Sequence, residues 1–196
     1  MTVREQYRTL NLDSEQMHYV SENDLGIVFH FLKKHKEIDK TLQIGLGHGA
    51  LALAVLAVTN KLHIVIDPNQ PKVQFAGIKN LKQLRLFDWV DFRDDYSYAV
   101  LPKLFEGNVL PDFIILDNDQ TLDKMMNDFV NIDLICKKGG YLLIRKSENP
   151  NNKTLRQYIA ANRLDYTIVE TALEDFVLYQ KTARDIREED SFQLFT

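Results

Sequence analysis

From Ser21 onward, two periods alternate in the hydrophobic pattern. Leu25, Val28, Phe29 and Leu32 recur at three- and four-residue spacing, which marks one buried helix face. Ser21, with Asp24 three residues on, predicts the helix start, because a side-chain oxygen there accepts from a free backbone N–H. Short apolar runs then alternate with helical stretches. Strands are predicted at Thr41–Ile44, Leu62–Ile66, Val90–Arg93, Phe113–Leu116 and Tyr141–Ile144. Helices are predicted from about Ala50, from Pro71, over Tyr98–Phe105, from about Thr121 to Gly139-Gly140, and over Thr154–Asn162. Pro71 suits a first helical turn, where a missing N–H costs nothing. Phe113–Leu116 is apolar throughout, as a strand covered on both faces should be.

The end of the chain breaks this alternation. Tyr166–Glu170 and Phe176–Gln180 read as strands with only about five residues between them. No helical crossover fits in that gap, so these two strands should be antiparallel. The expected fold class is α/β, a mostly parallel seven-stranded sheet with helices on both faces and a C-terminal antiparallel hairpin. The first twenty residues are polar and irregular, which suggests an extension over 1–20, a domain over 21–182 and a tail over 183–196.

Composition narrows the function classes. The chain has 196 residues, enough for one domain, with 45% hydrophobic and 27% charged residues. Its net charge of −4 argues against a dedicated nucleic-acid surface. The opening MTVREQYRTL lacks the apolar core of a signal peptide, and no run approaches a membrane span. A cytoplasmic protein with no membrane partner is the expectation. Cys136 is the one cysteine, so no intrachain disulfide or cysteine-rich metal site is possible, and Leu134-Ile135 before it suggests a packed thiol.

Candidate chemistry centres on Gly45-Leu46-Gly47-His48-Gly49-Ala50, between a predicted strand and a predicted helix. Glycines permit a tight turn and close approach of a ligand, and the helix behind them presents N–H groups and partial positive charge. Asp67 ends the second strand, where a carboxylate accepts from ribose hydroxyls in nucleotide-binding α/β folds. Gly45-x-Gly47-x-x-Ala50 also satisfies the dinucleotide pattern, so an NAD-dependent oxidoreductase is a rival reading.

Further motifs separate the two readings. The segment Leu42-Gln43-Ile44-Gly45-Leu46-Gly47-His48-Gly49 resembles the first motif of class I S-adenosylmethionine-dependent methyltransferases, which have a Rossmann-like fold. Asp112-Phe113-Ile114-Ile115-Leu116-Asp117 resembles their fourth-strand motif, and Lys137-Lys138-Gly139-Gly140 their glycine pair before the fifth strand. Asp117-Asn118-Asp119-Gln120-Thr121-Leu122 and Phe92-Arg93-Asp94-Asp95-Tyr96 are similar to segments of the small-molecule O-methyltransferases of the catechol and macrocin type. The closing hairpin agrees, since a dinucleotide enzyme more often supplies a sixth parallel strand.

The resemblance implies S-adenosylmethionine as cofactor, a small-molecule acceptor, O-methyl transfer, and a homodimer as one option for assembly. It implies that Gly45, Gly47 and Gly49 line the methionine and ribose, that Asp67 binds the ribose, and that Asp95 and Tyr96 lie near the adenine. Asp117 would face the methyl group, with Asp117 or Asp119 as a base. Gln43 stands where an acid usually helps hold the methionine ammonium, and Gln120 replaces a histidine. Related enzymes often hold a divalent cation. Asp117 and Asp119 would give two ligands, but Arg145-Lys146-Ser147 follows the fifth strand where a third acid is expected. A lysine there would repel a dication and could pair with Asp117, so no metal is expected, with Glu148 as the nearest replacement ligand. These departures keep open a third reading, a binding protein of this fold without catalysis.

Other residues have blander expectations. His48 is expected at a solvent-facing turn position rather than on the cofactor carboxylate. His18, His30, His35 and His63 show no metal-ligand spacing and are expected at the surface or in packing. Lys33, Lys34, His35 and Lys36 should complement a helix C-terminus, and Phe105, Phe113 and Phe129 should be core.

Overall fold

The computed structural model describes residues 2–12, 19–118, 120–147, 149–185 and 193. Asp119, Glu148, His18 and most of the tail therefore lie outside the described residues. Seven strands form one sheet: β1 (Thr41–Ile44), β2 (His63–Ile66), β3 (Val90–Arg93), β4 (Phe113–Leu116), β5 (Tyr141–Arg145), β6 (Tyr166–Val169) and β7 (Phe176–Lys181). Their order is β3-β2-β1-β4-β5-β7-β6. The first five strands pair in parallel, with Ile44 opposite both Ile66 and Leu116. β7 runs antiparallel between β5 and β6. The α/β sheet with its closing hairpin is as the sequence predicts.

Seven α-helices are described: α1 (Val3–Tyr7), α2 (Glu22–Lys34), α3 (Ala50–Thr59), α4 (Ala76–Gln83), α5 (Ser97–Glu106), α6 (Leu122–Ile135) and α7 (Pro150–Asn162). Ser21 caps α2 by accepting from the Asp24 N–H at 3.0 Å. Asp24 itself is buried and accepts from the N–H groups of Glu174 and Asp175, tying α2 to the loop before β7.

Two apolar layers cover the sheet. One joins Leu25, Leu32, Leu53, Phe113, Ile115 and Leu143, the other Leu42, Ile44, Ile114, Leu116, Phe129 and Ile132. Each central strand thus buries alternate residues against opposite layers, which explains the near-continuous apolar runs. Among the described residues no helix is long and apolar enough to cross a membrane.

Four expectations need correction. Pro71 opens only a 3-10 turn, Gln70–Val73, because Gln74 and Phe75 take left-handed angles that stop the helix before α4. Phe105 is 51% exposed rather than core, on the outer side of α5. His48 is buried, not solvent-facing. The segment before residue 21 is not irregular throughout: Thr2 and Glu5 form a capping box that starts α1. Cys136 is buried as expected, and burial pushes its thiol up to about 12.

Candidate functional site

The sheet order reverses between β1 and β4, and ligands of open α/β sheets bind beyond the strand ends at such a point. Gly45, Asp67 and Asp117 each directly follow a strand there. Their N–H groups extend the ladders, Gly45 to the Ile66 carbonyl, Asp67 to that of Arg93 and Asp117 to that of Ile44. Gly45 is required by geometry. Its φ is +87°, and a Cβ would sit 2.1 Å from the Asp117 carbonyl oxygen.

Two adjoining cavities open at this edge. A cavity of about 280 Å³ is bounded by Gly45 to His48, Ala50, Leu51, Asp117 and Arg145, and is covered by Tyr7, Leu12, Tyr19 and Val20 of the N-terminal segment. Another, of about 510 Å³, extends over Ile66, Pro68, Tyr96, Ser97, Thr121, Lys124, Asn149 and Asn151. Gly45, Asp67, Asn69, Lys72, Asn118 and Gln120 border both. The Tyr7 hydroxyl donates to the Val20 carbonyl at 2.5 Å, and that of Tyr19 to the Leu12 carbonyl, closing the cover on itself.

Asp67 is 4% exposed and lies where the cavities meet. Its Oδ2 accepts from the Leu46 N–H at 3.0 Å and from Gln70 Nε2 at 2.8 Å, and its Oδ1 from the Asn69 N–H at 2.8 Å. Gln70 Nε2 also reaches the Gly47 carbonyl at 3.0 Å. The carboxylate therefore holds the glycine turn in shape, a role the strand-end position alone did not reveal. Of its roughly four lone-pair sites, the one left on Oδ1 suits a single further donor rather than both hydroxyls of a diol.

Gln43 is fully buried and borders neither cavity. Its Nε2 donates to the Gly45 carbonyl at 2.6 Å, and its Oε1 meets His63 Nε2 at 3.2 Å. His63 Nδ1 lies 2.8 Å from the Thr41 hydroxyl. Burial holds this imidazole down at about 4, so it is neutral at pH 7 and can give its one N–H to Gln43. Gln43 thus supports the turn from below instead of facing a ligand.

Asp117 borders the smaller cavity, but both its oxygens accept from Arg145, one from Nε and the other from Nη2 at 3.2 Å. The guanidinium lies 4.7 Å from the Phe176 ring centre, and the Arg145 and Asp117 side chains are 7% and 11% exposed. The partner of Asp117 is therefore Arg145 rather than a lysine, since Lys146 Nζ donates to the Leu173 carbonyl. Each Asp117 oxygen thus has one donor from Arg145. Among the described residues no group of three His, Cys, Asp or Glu side chains converges as a metal site.

Gly47 lines the smaller cavity, whereas Gly49 packs towards Gly77 and lines neither. Tyr96 is half exposed at the rim of the larger cavity, stacked on Tyr98 at 5.4 Å. Asp95 is exposed, accepts from the Tyr96 N–H and borders neither cavity. Asn118 borders both. Its Nδ2 donates to Asp128 at 3.2 Å, while its buried Oδ1 has no partner among the described residues. Asp128 has its pKa raised by burial, against hydrogen bonds from Ser97 and Asn118. The orphaned Asn118 oxygen suits a donor of a polar ligand lying over β1 and β4.

The comparisons with known proteins bear on this geometry. No protein-family model and no curated protein matches the chain. Solved structures do. The O-methyltransferase TomG from Streptomyces achromogenes, involved in tomaymycin synthesis and solved with S-adenosylmethionine, superposes with a TM-score of 0.69 at 14% identity over 92% of this chain and 88% of its own. Podospora anserina methyltransferase PaMTH1, bound to S-adenosylhomocysteine, gives 0.69 at 16% identity over 92% and 86%. An O-methyltransferase from Bacillus cereus, also with S-adenosylhomocysteine, gives 0.68 at 16% identity over 90% and 88%. The chain has the Rossmann-like fold of these O-methyltransferases over nearly its whole length.

Proposed function

We propose that this chain is a cytoplasmic S-adenosylmethionine-dependent methyltransferase acting on a hydroxyl of a small molecule. One observation carries the reading: the two adjoining cavities over the carboxyl ends of β1, β2 and β4, which meet at the Gly45 turn and Asp67, on the fold shared with O-methyltransferases. An NAD-dependent oxidoreductase is less well supported, because an antiparallel strand, β7, is inserted between β5 and β6.

In this reading Tyr96 and the larger cavity would hold the adenosine, Asp67 would accept from the ribose through Oδ1, and Gly45 and Gly47 in the smaller cavity would hold the amino-acid end. When bound, the cofactor supplies an electrophilic methyl group on a sulfonium centre. The protein contributes position and exclusion of water. Tyr7 and Tyr19 cover the smaller cavity, and the ion pair of Arg145 and Asp117, packed on Phe176, forms part of its wall. The fixed dipole of that pair can steady charge on an acceptor oxygen as its proton leaves. A divalent cation does not suit these residues, since the Arg145 guanidinium already balances the Asp117 charge and repels a dication. Asp119 stays a candidate base on sequence grounds alone.

A thermal-shift panel tests the proposal. Ligand at about one hundred times its Kd stabilises by about 2.7 kcal/mol, or roughly 5–10 °C for a domain of this size. S-adenosylmethionine and S-adenosylhomocysteine should each produce that shift and NAD none. A shift with NAD alone would overturn the reading.

A further inference from the structure

The buried polar group in the smaller cavity that the account above leaves unused is His48. The residue is 6% exposed, and its Nε2 has no hydrogen-bond partner among the described residues. A buried nitrogen without a partner costs free energy, so its presence at a cavity wall points to a ligand atom. The ring is held in place: it lies 5.3 Å from the Tyr19 ring, and the His48 carbonyl accepts from Asn80 at 2.9 Å.

A second feature borders the same cavity. Helix α3 begins at Gly49 with no side-chain cap and no acidic residue in its first turn. The N–H groups of that turn have no acceptor within the helix, and the helix dipole adds partial positive charge. Ala50 and Leu51 bring this turn to the cavity wall, and Lys72 stands exposed at the rim. Helix N–H groups, an imidazole donor and an ammonium group together describe a carboxylate site.

We infer that His48, through Nε2–H, binds the carboxylate of the amino-acid portion of S-adenosylmethionine together with the first turn of α3. The inference rests on the proposed cofactor and assigns this chain's own recognition of its amino-acid end. Burial lowers the His48 pKa, so the imidazole is a neutral donor at pH 7. A carboxylate of the methyl acceptor would present the same chemistry, and the experiment separates the two sources.

Affinity for S-adenosylhomocysteine and for 5′-methylthioadenosine, which lacks the amino-acid portion, is measured by calorimetry on wild type, His48→Ala and His48→Gln. We expect His48→Ala to weaken S-adenosylhomocysteine roughly 10- to 100-fold, as loss of a donor to a charged group does, and to leave 5′-methylthioadenosine unchanged. His48→Gln, which keeps an N–H donor, should restore part of the loss. In the wild type, the His48 ring resonances should move with S-adenosylhomocysteine and not with 5′-methylthioadenosine, a readout that needs no variant. Equal weakening of both nucleosides, or no weakening of either, would overturn the assignment, the latter leaving the acceptor's carboxylate as the anion. Wild-type protein that binds neither nucleoside would instead defeat the cofactor reading itself.

Discussion

Replacing Asp67 by alanine separates a strut from a ligand contact. In the wild type three donors converge on this carboxylate, from Leu46, Asn69 and Gln70. Leu46 is 2% exposed and Gln70 1%, so water cannot readily replace the acceptor for either. Asn69 is less buried and can turn to solvent. An unsatisfied buried donor costs about 1–3 kcal/mol, so two give roughly 2–6 kcal/mol before any ligand is present. For a domain of this size that is a fall in Tm of roughly 5–20 °C. Asp67→Asn keeps an oxygen for the two buried donors and loses only the bond to Asn69, at about 1 kcal/mol. The assay is urea unfolding of the ligand-free proteins, followed by calorimetry with S-adenosylhomocysteine on those that remain folded. We expect Asp67→Ala to lose stability and binding together, and Asp67→Asn to stay stable while binding more weakly. Ligand-free Asp67→Ala within about 0.5 kcal/mol of wild type would refute the strut.

Gly45→Ala should destabilise by more than about 3 kcal/mol, because its Cβ meets the Asp117 carbonyl at 2.1 Å and φ is +87°; equilibrium unfolding measures this, and a near-neutral result would contradict the turn geometry. His63 should make stability fall on acidification. Its pKa is about 4 in the fold against about 6.5 unfolded, so below pH 6.5 the unfolded chain binds a proton the fold refuses, and about 3 kcal/mol is lost by pH 4. A His63→Gln variant should lose less stability between pH 7 and 4.5 in urea unfolding, and an identical pH slope would count against the neutral buried imidazole. Methyl transfer should survive chelation, since Arg145 engages both Asp117 oxygens; turnover abolished by chelator and restored by a divalent ion would contradict this.

The sheet was legible because burial on both faces leaves its own mark: Phe113–Leu116 is apolar at every position and buried at every position. The antiparallel hairpin followed from loop length, but insertion of β7 between β5 and β6 did not, because loop length fixes direction and not neighbour. α1 escaped notice because five residues with one buried side chain give no periodicity. At the candidate site, the glycine turn and the strand-end place of Asp67 were readable, since the residue types a tight turn needs are few. The side-chain partners were not. Asp117 and Arg145 are 28 residues apart, and Gln43, His63 and Thr41 meet only across paired strands. Burial of His48 depends on Tyr19 folding over it, a tertiary contact that no local pattern encodes.

The most direct test of the central claim is amide hydrogen exchange with and without S-adenosylhomocysteine. The account predicts added protection in three segments that meet at one sheet edge: Gly45–Leu51, the stretch from Asp67 to Val73, and Asp117-Asn118. No change in these segments at saturating ligand, or protection confined to another face, would contradict it.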